Sequence, residues 1–375
     1  GKGDNAELVR ELVGMAPCRV GGGIRDVRKA AEWLDAGAAK VILGTAAVPE
    51  VLRELPAGRV VAALDAWQDE VVVEGWTRGT GRSVLDRLAE IKEYVGGILV
   101  TFVEQEGRLA GFDLGRVPPL MAAAAGLEVT VAGGVTSLEE IAALDRLGAD
   151  AQVGMAIYTG RMDAADAFAA PLTSDRADGL WPTVVVDEAG RSLGLVYSSA
   201  ESLRLAVAEG RGIYWSRKRG LWRKGESSGQ IQDLLKVEAD CDRDALRFTV
   251  RQQGDGFCHA GSRTCWGPDR GLGELARRLA GRARQAPAGS YTRRLLDDPE
   301  LLRAKLLEEA DELAAARGDD DIAWETADVI YFALVAMARG GVALEAVERE
   351  LDRRSLLPSG KDKKVKKKDG KERRG

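Results

Sequence analysis

Short apolar segments alternate with amphipathic segments over roughly the first 172 residues of the chain. Each apolar segment is closely followed by Gly, Asp or Thr, and the segments lie at 19–20, 40–43, 60–64, 97–100, 128–131 and 151–153. Between them, apolar positions three and four residues apart predict helices, for example at 27–36 and 138–147. Repeated strand–loop–helix units predict a parallel sheet, and these six strands are two short of a closed (β/α)8 barrel. We therefore predict an incomplete barrel of the α/β class over residues 1–172.

The pattern changes near residue 171. Between residues 180 and 268 the chain is rich in Trp and in short strand-like segments, at 183–186, 193–196, 212–215, 235–239 and 248–252. This pattern predicts a strand-rich α+β domain over residues 176–268.

Helical periodicity begins near residue 271 and continues to about residue 353. Asp298 followed by Pro299 is typical of a helix start, and this helix is predicted to end near Gly318. Further helices are predicted at 323–339 and 344–353. We predict an all-α helical bundle over residues 271–356, followed by a basic tail or linker without order at 357–375.

Charge and composition narrow the class of protein. The formal net charge is −5 even though the end of the chain is basic, so we expect no nucleic-acid partner. No apolar run approaches the roughly 20 residues that span a bilayer, and the N-terminus carries no signal pattern, so we expect a cytoplasmic protein without a membrane partner. Its four Cys are expected to serve metal binding or catalysis rather than disulfides. A first residue of Gly rather than Met is compatible with a piece of a longer chain.

A dense cluster of thiols and carboxylates lies in the middle domain. It comprises Asp240, Cys241, Asp242 and Asp244, then Cys258, His259 and Cys265. Three thiolates with one open position suit catalytic Zn²⁺, which lowers the pKa of a bound water toward about 7. In an extended segment the three aspartates would share one face and Cys241 the other, so one strand would serve both a hard cation and zinc. The alternative, in which the cysteines are core residues and the aspartates are solvated turn residues, fits isolated residues better than a cluster.

Segments at 194–199, 212–217, 221–229 and 240–244, with Cys258, His259 and Cys265, closely resemble phosphoribosyl-AMP cyclohydrolase over residues 176–268. The resemblance implies Zn²⁺ on Cys241, Cys258 and Cys265, and Mg²⁺ on Asp240, Asp242 and Asp244. It implies substrate contacts from Arg217, Lys224, Glu226, Ser227, Ser228 and Gly229, although the glycine turn alone is also typical of an ordinary turn. For His259 we expect a catalytic role as general base, or a substrate contact, rather than metal ligation.

The zinc site of that family is built across a dimer interface, so the resemblance implies a homodimer. A competing hypothesis is a zinc-binding regulatory module, which requires the three aspartates to be dispensable.

Five acidic residues in the helical domain have the spacing of a shared site. On one predicted helix Glu312 lies four residues after Glu308 and three after Glu309, and Glu325 and Asp328 are three apart on the next. If these acids converge, their repulsion calls for a cation, and oxygen ligands favour Mg²⁺ or Mn²⁺. The alternative is a solvated acidic face with partners such as Lys305.

With the segment at 290–294 and Lys305, this acidic pattern resembles phosphoribosyl-ATP pyrophosphohydrolase, a family of all-α enzymes, over residues 272–356. The resemblance implies that the five acids bind Mg²⁺. It also implies that Arg293, Arg294 and Lys305 neutralise phosphate charge. Bundles of this kind dimerise.

Glycine turns after the predicted barrel strands resemble the phosphate-binding turns of the ProFAR isomerase family, a (β/α)8 barrel. These turns contain Gly22, Gly23, Gly44, Gly133, Gly134 and Gly154. Asp65 and Thr101 match catalytic positions of that family and Trp76 matches its aromatic residue. Two departures stand out: the catalytic Asp of the family's first strand is absent here, and Glu106 stands where an Asp is usual.

Together the resemblances imply a histidine-biosynthesis enzyme acting on phosphoribosyl nucleotides. It would remove pyrophosphate from phosphoribosyl-ATP and then open the adenine ring of phosphoribosyl-AMP to ProFAR with a zinc-activated hydroxide. Two alternatives concern the barrel, which would either add isomerase activity in a trifunctional chain or serve as a non-catalytic scaffold. The basic tail resembles the linker before histidinol dehydrogenase in fungal multifunctional proteins, and whether such a domain follows is left open.

Overall fold

The computed structural model describes residues 5–107, 111–254, 256–285 and 289–355. The chain divides into two compact units, one formed by Gly1–Thr173 with Arg353–Gly375 and the other by Ser174–Asp352. The predicted tail at 357–375 lies outside the described residues.

The first unit is built on a curled parallel sheet. Its strands are β1 (Arg19–Gly21), β2 (Lys40–Leu43), β3 (Val60–Trp67), β4 (Glu70–Val73), β5 (Arg78–Ser83), β6 (Gly97–Phe102), β7 (Glu128–Ala132) and β8 (Asp150–Gln152). Six of them are parallel in the order β1-β2-β3-β6-β7-β8, with β1 and β8 at the two ends. All six coincide with the predicted strands, which confirms the incomplete barrel. The antiparallel hairpin of β4 and β5, which extends β3, was not predicted.

Helices cover one face of this sheet. They are α1 (Ala6–Met15), α2 (Val27–Asp35), α3 (Pro49–Leu52), α4 (Val84–Ile91), α5 (Val117–Ala123), α6 (Leu138–Arg146), α7 (Met155–Tyr158) and α8 (Ala164–Ala169). Side chains alternate along β1 and β2, so that Val20 and Val41 are buried in the core. On the other face Arg19 donates to Thr130 Oγ1 at 3.0 Å and pairs with Glu128 at 3.0 Å. The polar face thus carries contacts between β1 and β7, which are distant in the strand order.

The second unit begins with a six-stranded sheet. Its strands are β9 (Trp181–Val186), β10 (Ser192–Ser198), β11 (Ile213–Ser216), β12 (Gly220–Arg223), β13 (Gln232–Ala239) and β14 (Leu246–Gln252). Their order is β12-β11-β10-β9-β14-β13, and every pairing is antiparallel except that of β14 with β9. Helix α9 (Ala200–Glu209) connects β10 to β11. The rings of Tyr214 and Phe248 are fully buried with centroids 5.6 Å apart, so the predicted strand-rich α+β region has a dense core.

Among the described residues, five helices follow this sheet in the chain, the last of them running past Asp352, where the second unit ends. They are α10 (Leu272–Gln285), α11 (Tyr291–Asp297), α12 (Pro299–Ala315), α13 (Asp319–Gly340) and α14 (Leu344–Ser355). Asp298 caps α12 by accepting the backbone N–H groups of Glu300 and Leu301 at 3.1 and 3.0 Å. Helix α13 begins four residues before the predicted start, since Gly318 precedes it as N-cap and three aspartates favour its first turn. The core of this bundle includes Leu279, Leu295, Leu302, Phe332, Leu334 and Val335.

None of the described helices, taken singly, has the length and apolar character needed to cross a membrane. Helices α13 and α14 would meet those criteria only as a pair, with a bend of 112° between them.

Candidate functional site

The carboxyl ends of the parallel strands gather the predicted barrel residues at one edge of the sheet. Asp65 on β3 is the register partner of Thr101 on β6. The indole nitrogen of Trp76 donates to Asp65 Oδ2 at 2.9 Å, so the aspartate and the aromatic residue matched to the isomerase family are in direct contact. The predicted residues Asp65, Thr101 and Trp76 therefore form one local group.

Glycine turns lie at the same edge because parallel strands end together. Gly22, Gly23, Gly133 and Gly134 all have positive φ, between 72° and 93°. A Cβ added at Gly133 would lie 2.7 Å from the carbonyl oxygen of Phe102, so this close backbone approach requires glycine. Gly44 and Gly154 follow β2 and β8 and leave open space where a Cβ would stand.

The three aspartates of the middle domain converge, although not in the predicted way. Oxygen atoms of Asp240, Asp242 and Asp244 all lie within 4.8 Å of one another. The prediction that these residues occupy an extended strand with Cys241 on the opposite face was wrong. Strand β13 ends at Ala239, and the chain turns through Arg243 at φ 64°, so a turn gathers the carboxylates.

The surroundings of this turn shift the pKa values of Asp240 and Asp244 in opposite directions. Burial works against ionisation of Asp240, but the backbone N–H groups of Ala245 and Asp244, both at 3.1 Å, lower its pKa overall. The charge of Asp242, with burial and the charge of Asp240, raises the pKa of Asp244. Like charges this close favour a bound cation, and an all-oxygen donor set fits Mg²⁺.

Two of the three predicted zinc thiols are neighbours. The backbone N–H of Ala260 and the Ser262 hydroxyl lower the pKa of Cys258, with smaller contributions from Cys265 and Lys224. Burial and the interaction with Cys258 raise the pKa of Cys265. Burial lowers the pKa of Lys224, against the opposing influence of both thiols. Two adjacent thiols beside a buried ammonium group have the donor chemistry of a zinc site.

The loop that carries these thiols is packed against β10. Within the loop, the backbone N–H of Cys258 donates to the Ser262 carbonyl and that of Phe257 to the Arg263 carbonyl, both at 3.0 Å. The backbone N–H of Cys265 donates to the Leu193 carbonyl on β10 at 2.8 Å. A Cβ at Gly194 would lie 2.3 Å from the Phe257 ring and 3.2 Å from Cys265 Sγ. The sequence carries no local signal for this need for glycine at 194, because the need comes from the packing of Phe257 and Cys265.

Cys241 stands apart from this pair. It is exposed in the β13–β14 turn, where its sulfur lies 3.9 Å from Asp242 Oδ1. Within the described part of this single chain, Cys241 is not gathered with Cys258 and Cys265 into a ligand group. His259 is exposed beside Cys258.

The residues matched to substrate binding in the middle domain occupy a turn and a strand end. The turn closes through the Gly229 N–H, which donates to Gly225 O at 2.8 Å, and it exposes Glu226, Ser227 and Ser228. Lys224, directly before the turn, is only 8% exposed. Arg217 lies over the Tyr197 ring with its guanidinium carbon 5.0 Å from the centroid.

Three of the five acids in the helical region form a compact group between α12 and α13. Oxygen atoms of Glu309, Glu325 and Asp328 lie within 4.8 Å of one another, and Glu309 is only 8% exposed. Burial and then the neighbouring carboxylates, Glu312 among them, raise the pKa of both glutamates. Glu325 Oε2 is buried and has no hydrogen-bond partner. A buried, unpartnered carboxylate oxygen among other carboxylates fits a hard cation such as Mg²⁺.

The remaining predicted residues of this region lie around that group. Glu308 is exposed and pairs with Lys305 at 2.8 Å, whereas the Lys305–Glu309 separation is 3.9 Å. The solvated alternative therefore describes Glu308 better than Glu309. On α11, Arg293 pairs with Asp297 at 2.7 Å and Arg294 is exposed.

Comparison with known proteins matches three successive parts of the chain to family models. Residues 1–163 match the model described as histidine biosynthesis protein, residues 194–267 match phosphoribosyl-AMP cyclohydrolase, and residues 272–355 match phosphoribosyl-ATP pyrophosphohydrolase. The order of the three matches is the one predicted from the motifs.

Among similar proteins, a histidine biosynthesis bifunctional protein of Synechocystis is 41% identical over 207 residues, covering 50% of this chain and 96% of that protein. A histidine biosynthesis trifunctional protein of Komagataella pastoris is 54% identical over 187 residues, covering 50% of this chain and 22% of the relative. A bifunctional protein of Schizosaccharomyces pombe is 48% identical over 192 residues, covering 51% and 46%. The chain thus matches less than half the length of the two fungal relatives.

Proposed function

The chain belongs to the family of histidine biosynthesis bifunctional proteins, and from this premise we propose that it catalyses two consecutive hydrolyses. The first releases pyrophosphate from phosphoribosyl-ATP, and the second opens the adenine ring of phosphoribosyl-AMP to give ProFAR. One observation carries the proposal: each of the two matched enzyme regions gathers three carboxylates within 4.8 Å. Carboxylates this close repel one another, and a cation bound among them would offset that repulsion.

For the first reaction we assign the group at α12 and α13 as the Mg²⁺ site. Glu309, Glu325 and Asp328 are the direct ligands, and Glu312 adds negative charge beside them. Mg²⁺ bound there supplies charge neutralisation for a polyphosphate and orientation of the attacking water. Lys305 is placed at the rim by its ion pair with Glu308, from which it can turn to a phosphate oxygen.

For the second reaction we assign Cys258 and Cys265 as zinc ligands and Asp240, Asp242 and Asp244 as the Mg²⁺ site. Zinc bound there supplies a water that is activated near neutral pH. Buried Lys224 stabilises the negative charge of the thiol pair. Exposed His259, next to a ligand, is assigned to move a proton during ring opening. The turn at 225–229 offers backbone N–H groups and hydroxyls to the substrate phosphate.

We assign the third zinc thiol to a second copy of the chain. Cys241 is exposed and stands apart from the other two thiols, which supports a homodimer in which each copy completes the partner's site. The four cysteines are free, which fits the reducing cytoplasm.

The barrel supports a second candidate activity, the isomerisation of ProFAR. The contact between Trp76 and Asp65 and the pairing of Asp65 with Thr101 favour it. Replacing Asp65 with Asn should abolish isomerisation if the barrel is catalytic, and should leave all reactions unchanged if it is a scaffold.

Incubating the pure protein with phosphoribosyl-ATP, Mg²⁺ and Zn²⁺ and following each intermediate tests the main proposal. The variant Glu325→Gln should stop at phosphoribosyl-ATP, and Asp242→Asn should accumulate phosphoribosyl-AMP while retaining zinc. Asp311→Asn is the control and should behave as wild type, because Asp311 is an exposed acid on α12, the helix that carries Glu309. Asp242→Asn with full ring opening would instead support a regulatory zinc module.

A further inference from the structure

A cluster of five charged side chains connects the Cys258–Cys265 loop to helix α10. It contains Asp187, Asp269, Arg191, Arg263 and Arg277. Asp187 is completely buried, and its Oδ1 accepts the backbone N–H groups of Ala189 and Arg191 at 3.2 and 2.9 Å. A carboxylate removed from water in this way needs cationic partners.

Those partners come from two different parts of the unit. Arg263 lies between the two zinc thiols in the chain and donates to Asp187 Oδ2 at 3.1 Å. Arg277, on α10, donates to the same oxygen at 3.0 Å and to Asp269 Oδ2 at 2.6 Å. Asp269 also pairs with Arg263 at 3.5 Å. Arg263 and Arg277 are thus held side by side by two shared carboxylates.

The Arg263 backbone is part of the framework that shapes the thiol loop. Its carbonyl accepts the Phe257 N–H at 3.0 Å, and the neighbouring Ser262 carbonyl accepts that of Cys258. A Cβ at Gly256 would lie 2.5 Å from the Arg263 Cα, so the two sides of the loop are in tight contact there. A shift of Arg263 would therefore be transmitted directly to Cys258.

We propose that Arg277 is a positioning residue for the ring-opening reaction. By fixing Asp187 and Asp269, it holds Arg263 and hence the Cys258–Cys265 loop in the conformation that binds zinc. This inference rests on the proposed cyclohydrolase function. It gives a residue of the pyrophosphohydrolase-like region a role in the other reaction, because α10 lies within the region matched to that family.

Removing Arg277 leaves Asp187 Oδ2 with Arg263 as its remaining cation and takes from Asp269 its closest contact. Asp269 keeps its ion pair with Arg191 at 2.9 Å, whereas the buried Asp187 then depends on Arg263 alone among its ion-pair partners, and the bridge that fixes Arg263 from the α10 side is lost. Loss of a partner that supports metal ligands typically costs roughly 10- to 100-fold in metal affinity or activity.

The test compares Arg277→Ala, Arg277→Lys and Arg278→Ala in the full chain. Arg278 is the matched control, since it is the next residue on α10, is exposed, and forms a weak ion pair with Glu274 at 3.7 Å. Three quantities are measured: the rate at which a chelator removes zinc, the rate at which the apo-protein thiols react with a disulfide reagent, and the turnover of both substrates.

For Arg277→Ala we expect roughly tenfold faster zinc loss and lower phosphoribosyl-AMP turnover. Faster thiol reaction should accompany these changes, while phosphoribosyl-ATP hydrolysis should stay within about twofold of wild type because the bundle core is intact. Arg277→Lys should restore part of the difference, since an ammonium can reach one carboxylate but not bridge two.

Zinc loss and thiol reactivity equal to those of Arg278→Ala would overturn the inference, as would equal loss of both activities, which indicates general unfolding. Wild-type protein that holds zinc but leaves phosphoribosyl-AMP unchanged would count against the proposed function only. The zinc and thiol rates would still decide the role of Arg277 in that case.

Discussion

Gly194 lies on strand β10 where the loop that carries Cys258 and Cys265 packs against it. A methyl group there would overlap the Phe257 ring at 2.3 Å and press on Cys265 Sγ at 3.2 Å. Because Phe257 is buried, its ring has little room to move away. The added methyl group would therefore displace the backbone of the loop between Cys258 and Cys265.

We therefore predict that Gly194→Ala lowers phosphoribosyl-AMP turnover at least about tenfold and weakens zinc binding. Phosphoribosyl-ATP hydrolysis should change little. Gly281→Ala on α10 is the control, because a Cβ there meets nothing within 4 Å and Ala favours a helix by up to about 1 kcal/mol. The measurements are the zinc content and the turnover rates of phosphoribosyl-AMP and phosphoribosyl-ATP. A Gly194→Ala protein that retains its full zinc content would contradict the prediction.

Glu325 and Glu309 give the apo-protein a pH dependence of defined sign. Burial, then the nearby carboxylates, raises the pKa of both above the usual 4.5. The folded state then binds protons more tightly than the unfolded state, so this contribution to stability is present at low pH and is lost as pH rises from 4.5 through the raised values.

We predict that, without Mg²⁺, the Tm of wild type falls relative to that of Glu325→Gln as pH rises above 4.5. Saturating Mg²⁺ should raise the wild-type Tm and remove much of this difference, since the cation binds the ionised folded form. Thermal unfolding at several pH values, with chelator or Mg²⁺, measures both effects. A wild-type Tm that rises relative to the variant over this range would contradict the sign.

At the scale of elements, helix α12 carries three of the five acids of the helical region, and its stability depends on its first turn. Asp298 satisfies two backbone N–H groups at the start of this helix, at 3.1 and 3.0 Å. We predict that Asp298→Ala lowers the free energy of unfolding of this region by about 1 kcal/mol. The urea midpoint is the measurement, and Asp297→Ala is the control.

The control removes only an exposed ion pair with Arg293, which is worth less than about 1 kcal/mol. Equal shifts of the urea midpoint in the two variants would show that the cap hydrogen bonds are not the cause.

Elements with strong local signals were predictable. The six parallel strands each pair an apolar run with a following turn residue, and α12 has both a capping Asp and Pro299. Strand β5 was missed because its sequence, Arg-Gly-Thr-Gly-Arg-Ser, is exposed and shows no apolar alternation. The turn at 240–244 was misjudged because Arg243 takes a left-handed conformation that the sequence does not signal.

The site residues were predictable only where residues with metal-binding or catalytic side chains lie close together in the sequence. The acids of α12 and α13 follow helical spacing, so their convergence could be expected. By contrast, Arg277 and Asp187 are 90 residues apart, and no local pattern links them. Nor does spacing reveal that Gly194 must lack a side chain, since that requirement comes from the packing of Phe257.

At the scale of the whole molecule, the position of Cys241 bears on how many chains form the proposed zinc site. One copy brings together Cys258 and Cys265 but leaves Cys241 exposed in a turn outside that group. If two copies are related by a twofold axis and each places its 240–244 turn at the other's site, each site takes Cys241 from one chain and Cys258 with Cys265 from the other. A chain lacking Cys241 and a chain lacking Cys258 would then be inactive alone in ring opening.

Mixing and refolding equal amounts of Cys241→Ser and Cys258→Ser should restore activity. Half of the dimers would be mixed, and each would hold one intact site and one site lacking both thiols, which gives about a quarter of wild-type turnover. A site built within one chain predicts no recovery, because neither variant contains all three thiols. Phosphoribosyl-ATP hydrolysis, which needs none of the cysteines, should stay unchanged in every mixture and reports the amount of folded protein.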